Sequence, residues 1–231
     1  LIEDGAFASA PAWNGASGGV VRLVVTGTVD IQGTLSVDSK GYRGGPAVSG
    51  ADDGIQGESY NGLGVKSWFA NGGGGGGGLD TSSNGAGGGY GSPGETVVSA
   101  HLHTSYGGEV YGQPTLTELW LGSGGGSSGA ESARGGGAGG AGGGAISIIA
   151  DVVIVTGTIS ANGGNGTTNS YPSQARSGGG GSGGSILLHA NTLDLGDGVV
   201  TAAGGIGPNG NFGGVTTFAG DGGDGRIRLE Y

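Results

Sequence analysis

Gly144-Ala145-Ile146-Ser147-Ile148-Ile149-Ala150 sets a pattern that the chain repeats. Three other stretches match it: Gly19-Val20-Val21-Arg22-Leu23-Val24-Val25, Gly184-Ser185-Ile186-Leu187-Leu188-His189-Ala190 and Gly225-Arg226-Ile227-Arg228-Leu229-Glu230-Tyr231. With the glycines aligned, Val21 and Leu23 fall on Ile146 and Ile148, on Ile186 and Leu188, and on Ile227 and Leu229. The residues between them, Arg22, Ser147, Leu187 and Arg228, point to the other face, because successive side chains of a strand alternate. A second strand follows in each full copy: Gly33-Thr34-Leu35-Ser36-Val37, Gly157-Thr158-Ile159-Ser160-Ala161 and Gly198-Val199-Val200-Thr201-Ala202. Here too one face is apolar and the other largely polar.

A strand pair of this size cannot bury its apolar face alone, so the copies are expected to stack, with Val, Ile and Leu ladders inside. The predicted fold is all-β: a parallel β-solenoid-like set of glycine-rich repeats with polyglycine tracts and a large loop-rich insertion. Gly144 and Gly184 are 40 residues apart, Gly184 and Gly225 are 41, and the returns over 163–184 and 204–225 are both 22 residues long, which suits equal coils. The expected organisation is a single domain over 1–231. Its first repeat covers 16–45, an insertion or degenerate repeats cover 46–122, and two full repeats plus a terminal strand cover 140–231. The last strand breaks off at Tyr231 with no polar cap, so an open edge is expected there, to be covered by another copy or by the rest of a longer polypeptide. A chain that starts at Leu1 and holds no Met also suits a processed or excised segment.

Composition narrows the function classes. Glycine supplies 65 of 231 residues, yet with 6 Pro and unbroken runs such as 72–78 the chain lacks the three-residue period of collagen. The stretches 20–37, 145–161, 185–203 and 226–231 hold 26 of the 46 Leu, Ile, Val and Phe but only 5 of the glycines, a segregation that a disordered linker would not show. Tracts such as 135–137 and 142–144 permit extended left-handed segments packed backbone to backbone. Seven of ten Asn precede Gly, among them Asn14, Asn61, Asn71, Asn162 and Asn165, and read as turns. The net charge of -10 gives no basic surface for a phosphate backbone, so no nucleic-acid partner is expected. No apolar run reaches the roughly 20 residues that span a bilayer, and no signal-peptide pattern opens the chain. The absence of Cys excludes disulfides and thiolate chemistry.

The Gly-Ala-Ile-Ser-Ile and Gly-Thr-Ile-Ser-Ala-Asn-Gly-Gly strands, with Leu121-Gly-Ser-Gly-Gly-Gly leading into the Gly142–Ile148 stretch, resemble the glycine-rich repeat modules of large bacterial surface and secreted proteins. The likeness covers roughly residues 16–45 and 119–231 and implies an extracellular or cell-surface setting. A second, weaker likeness is to the polyglycine-sandwich tips of phage tail adhesins. Neither class supplies a catalytic motif.

Motifs that look chemical have plainer readings. Gly-x-Ser-x-Gly occurs around Ser17, Ser127 and Ser182, which glycine density alone produces, and no strand-to-helix elbow accompanies it. His101 and His103 have an i, i+2 spacing that metal sites use, but no third ligand can be named and a solvated strand face is the simpler reading. His189 reads as an outward polar residue. Asp194 with Asp197, and Asp221 with Asp224, lie in glycine turns, where calcium is a candidate ligand and ordinary turn chemistry the alternative. No cofactor is expected otherwise. Asn165-Gly166-Thr167 is a formal glycosylation sequon of the kind that arises by chance.

Eight of the 14 aromatic residues fall between 42 and 120: Tyr42, Tyr60, Trp68, Phe69, Tyr90, Tyr106, Tyr111 and Trp120. Exposed rings make contact energy at binding surfaces, so Trp68, Tyr90, Tyr106, Tyr111 and Trp120 are the candidate glycan-binding residues; the alternative is that the rings cover flat glycine backbone. The expected function is therefore non-enzymatic: an extracellular stalk, fibre subunit or surface layer that self-associates or forms part of a longer chain. The second reading is an adhesin that grips glycans through the insertion. A polysaccharide-cleaving enzyme, supported only by acidic residues, is the third.

Overall fold

A computed structural model describes residues 1–79, 83–99, 102–131, 134–169, 171 and 174–231. Within them the chain is all-β and contains no helix. The strands are β1 (Phe7–Ser9), β2 (Val20–Val24), β3 (Thr28–Ile31), β4 (Thr34–Ser36), β5 (Val97–Val98), β6 (Thr104–Ser105), β7 (Ala145–Val155), β8 (Thr158–Ser160), β9 (Gln174–Ala175), β10 (Ser185–Asp194), β11 (Val199–Thr201), β12 (Gly210–Phe212), β13 (Val215–Thr217) and β14 (Arg226–Glu230). The sheets are small and of both kinds. Two are parallel, ordered β14-β10-β7-β2 with β3 also on β7, and β1-β4-β8-β11; β5-β6 and β13-β12-β9 are antiparallel and join glycine segments.

Register in the parallel sheets follows the aligned glycines. Val21 lies opposite Ile146, Ile146 opposite Ile186, and Ile186 opposite Ile227; Leu23, Ile148, Leu188 and Leu229 form the next rung. In the second sheet Ala8, Leu35, Ile159 and Val200 line up. Inward side chains of both sheets form one apolar core in which Ile146, Ile148, Ile159, Ile186 and Leu188 are wholly buried. Each contributes about 1.5–3 kcal/mol over an exposed position. β7 is long because it templates two strands, β2 along Ala145–Ile149 and β3 along Val152–Val155. Between those strands Gly27 bends out at φ +114°, and its amide is held by the Asp151 carboxylate at 2.9 Å.

The glycine tracts form a lattice, and segment 121–129 shows its rule. The amides of Gly122, Gly125 and Ser128 donate to the carbonyls of Gly143, Gly140 and Gly137. Those of Gly124 and Ser127 go to Glu58 and Ile55, and those of Gly126 and Gly129 to Ala86 and Ser83. The carbonyls of the same segment accept from Tyr42 and Gly45, from Gly75 and Gly78, and from Gly179 and Ser182. Each neighbour is met again every third residue, the period of an extended helix with three residues per turn. One segment is thereby bonded, backbone to backbone, to six others. Segments 54–57, 73–78 and 84–89, within the stretch read as insertion or degenerate repeats, run through this lattice.

Four of the seven Asn-Gly sites, at Asn84, Asn162, Asn165 and Asn209, depart from the turn expectation, since their glycines do not take positive φ. Gly62 and Gly72 do take positive φ, 98° and 55°. Asn162 and Asn165 instead extend along glycine segments and brace one segment against the next: Asn162 Oδ1 accepts from the Ala203 amide at 2.8 Å, and Asn165 Oδ1 from the Ile206 amide at 2.8 Å. Asp38, after β4, does the same, accepting from the Asn162 amide at 2.6 Å. A short carboxamide or carboxylate supplies the acceptor that a glycine lacks.

Candidate functional site

The aromatic residues of 42–120 divide into sets with different jobs. Tyr60, Tyr90, Tyr111 and Trp120 pack together: Tyr60 and Tyr90 each sit 4.8 Å from the Tyr111 centroid, and Trp120 stands edge-on to Tyr111 at 6.0 Å. Their rings lie on bare backbone. A Cβ on Gly73 would come within 2.3 Å of the Tyr111 ring, one on Gly72 within 3.0 Å of Tyr60, and one on Gly112 within 2.9 Å of Trp120. Tyr90 is fully buried, its hydroxyl 2.7 Å from Ser185 Oγ and its ring 5.3 Å from the Arg226 guanidinium. Tyr111 donates to the Leu121 carbonyl and accepts from Ser123 Oγ. Burial pushes both phenols above their ordinary range, Tyr111 far above it. The expectation of an exposed ring is thus corrected for Tyr90, which has no free face, and Tyr111 and Trp120 are half-buried covers of glycine.

Trp68, Phe69 and Tyr106 form the second set. Phe69 and Tyr106 stack with centroids 5.5 Å apart and planes 6° from parallel, and Trp68 lies 5.5 Å from Phe69 at 33°. All three are open to solvent, at 37%, 56% and 44% exposure. The segments that carry them are tied to the lattice and to each other: the Tyr106 amide donates to the Trp68 carbonyl, the Gly76 amide to the Tyr106 carbonyl, and Gln56 Nε2 to the Phe69 carbonyl, each at 2.8 Å. Sequence reading placed Trp68 and Tyr106 among the candidates and passed over Phe69, the ring between them. Its adjacency to Trp68 was the available signal.

A third pair, Trp13 and Tyr42, meets edge-on at 5.8 Å beside the Arg43–Glu58 ion pair. Arg43 grips Glu58 through Nε at 2.8 Å and Nη2 at 3.1 Å, and Trp13 Nε1 adds a bond at 3.2 Å. Burial pushes the Glu58 carboxyl up, and the Arg43 guanidinium, the Arg43 amide and the Trp13 indole outweigh it, leaving the group below its ordinary value.

The chemical-looking motifs have structural partners. Ser127 and Ser182 are wholly buried; Ser127 Oγ accepts from the Ile55 amide and Ser182 Oγ from the Ser123 amide, both at 2.8 Å. Asp221 and Asp224 accept from the amides of Gly207 and Gly204, and Asp194 from that of Gly196. Among the described residues no three His, Asp or Glu gather as cation ligands do. His101 lies outside the described residues, so the His101–His103 pair has no described geometry. His189 projects outward and meets Glu230 at 2.5 Å, which lowers the Glu230 carboxyl below its usual range. No helix of the described residues is long and apolar enough to cross a membrane.

The two ends of the parallel stack are open. Beyond β2 and β1 the gap between the sheets is a cavity of about 400 Å³ lined by Val21, Leu23, Val25, Val29 and Leu35. At the other end an opening of about 320 Å³ is lined by Val200, Ala202 and Ile227. Comparison with protein-family models, with curated proteins and with solved structures finds no match.

Proposed function

We propose that the chain is a non-enzymatic structural module of a stalk, fibre or surface layer outside the cell, built as a glycine-rich β-solenoid whose coils continue into a neighbouring unit. The observation that carries this reading is the pair of unfinished ladders. β2 and β1 end the stack on one side with Val20, Val24 and Phe7 exposed, and β14 and β11 end it on the other with Ile227, Leu229 and Val199 exposed. Unpaired apolar strand edges template further strands. Continuing the observed register head to tail would set Val21 of a second copy beside Ile227 and Leu23 beside Leu229, a contact that propagates because its two surfaces differ. Arg22 would then face Arg228, with Glu230 one rung away to offset the like charges.

Sedimentation velocity over a wide concentration range tests this. Elongated species that grow with concentration and vanish in Ile227→Lys are expected. A compact monomer at every concentration overturns the assembly.

A further inference from the structure

We propose that Trp68, Phe69 and Tyr106 form a platform that stacks against pyranose rings of a neutral polysaccharide, giving the module a lateral binding site independent of its open ends. Three observations converge on it. First, these rings do not serve as covers. Gly76 is met by the backbone carbonyls of Trp68 and Phe69, where an added Cβ would come within 2.2 and 3.0 Å, and no described glycine has a ring atom of these three residues among its nearest contacts. The Tyr60–Tyr111–Trp120 set instead lays ring atoms against Gly72, Gly73 and Gly112, so the same chain shows what shielding looks like and this platform differs from it.

Second, the platform is pre-organised. Trp68 and Tyr106 are bonded to each other through the backbone, Tyr106 to Gly76, and Phe69 to the Gln56 carboxamide and, through its amide, to Ser67 Oγ at 3.2 Å. A ligand therefore spends little free energy on ordering it. Third, charge selects the ligand. No ring residue is ionic, the nearby Lys66 is paired with Asp52 at 2.5 Å, and the chain carries a net charge of -10. That disfavours uronates, phosphates and sulfated sugars and leaves the neutral pyranose, whose C–H face fits the electron-rich face of an aromatic ring.

The test is isothermal titration of the full chain with cellohexaose, laminarihexaose, maltohexaose and chitohexaose, alongside indole fluorescence. At least one is expected to bind saturably and shift the emission. Phe69→Ala is expected to weaken that binding about tenfold, and Trp120→Phe to leave it within about twofold. Phe69→Leu keeps the bulk without the π face and replaces the alanine variant if that one does not fold. Failure of all four saccharides to bind overturns the proposal, as does unchanged affinity in a folded Phe69 variant. Loss of self-association in that variant without any saccharide binding would make the platform a protein contact instead, which also overturns it.

Discussion

Glu58 sits on a glycine segment yet is almost entirely buried, and its carboxylate accepts from four donors, three on Arg43 and one on Trp13. It joins the start of the chain to the stretch after residue 46, so it matters more than an exposed ion pair would. Because its carboxyl is held below the ordinary 4.5, the stability it adds is present above that value and disappears as pH falls through the depressed one. Glu58→Gln is expected to lower stability at neutral pH by about 1.5–3 kcal/mol, the range for hydrogen bonds to charged groups. Urea melts of variant and parent should converge in acid. A gap that persists unchanged at low pH would show that the carboxylate charge is not what holds the contact.

At the scale of the element, segment 121–129 is held by its neighbours' backbones, so room for a Cβ decides what each position accepts. A Cβ on Gly124 would stand 2.0 Å from the Arg43 carbonyl, whereas Gly213, at φ +59° in a hairpin, has nothing within 4 Å. Gly124→Ala is expected to cost about 3 kcal/mol, the upper end of overpacking, and Gly213→Ala about 1 kcal/mol from its left-handed backbone alone. Equal effects in thermal melts would contradict a close-packed lattice. The same contrast explains what was legible beforehand. The register of β2, β7, β10 and β14 could be read because β-branched residues at period two mark the inner face and a glycine marks the start. Which amide of 121–129 bonds to which segment could not, since Gly122, Gly124 and Gly126 look alike in sequence and their partners lie far along the chain. The two aromatic sets are indistinguishable in sequence for a related reason: Tyr90 is wholly buried and Tyr106 is 44% exposed, and the partners that bury Tyr90, Ser185 and Arg226, lie far along the chain.

At the scale of the whole molecule, two modes of cohesion share one chain. Stacked strands bury Val, Ile and Leu in a narrow core, and the polyglycine region removes peptide groups from water by bonding them to one another. Unfolding the second kind of structure exposes mainly polar surface, which lowers the heat capacity of the unfolded chain and offsets the rise from the apolar core. Scanning calorimetry should therefore give an increment per residue below the about 12–15 cal/mol/K of ordinary globular domains; a value inside that range would mean that the lattice melts as an oily core does. A small increment flattens the curve of stability against temperature, so the protein would hold nearly the same margin in the cold as in warmth, where a domain stabilised mainly by apolar burial loses its own.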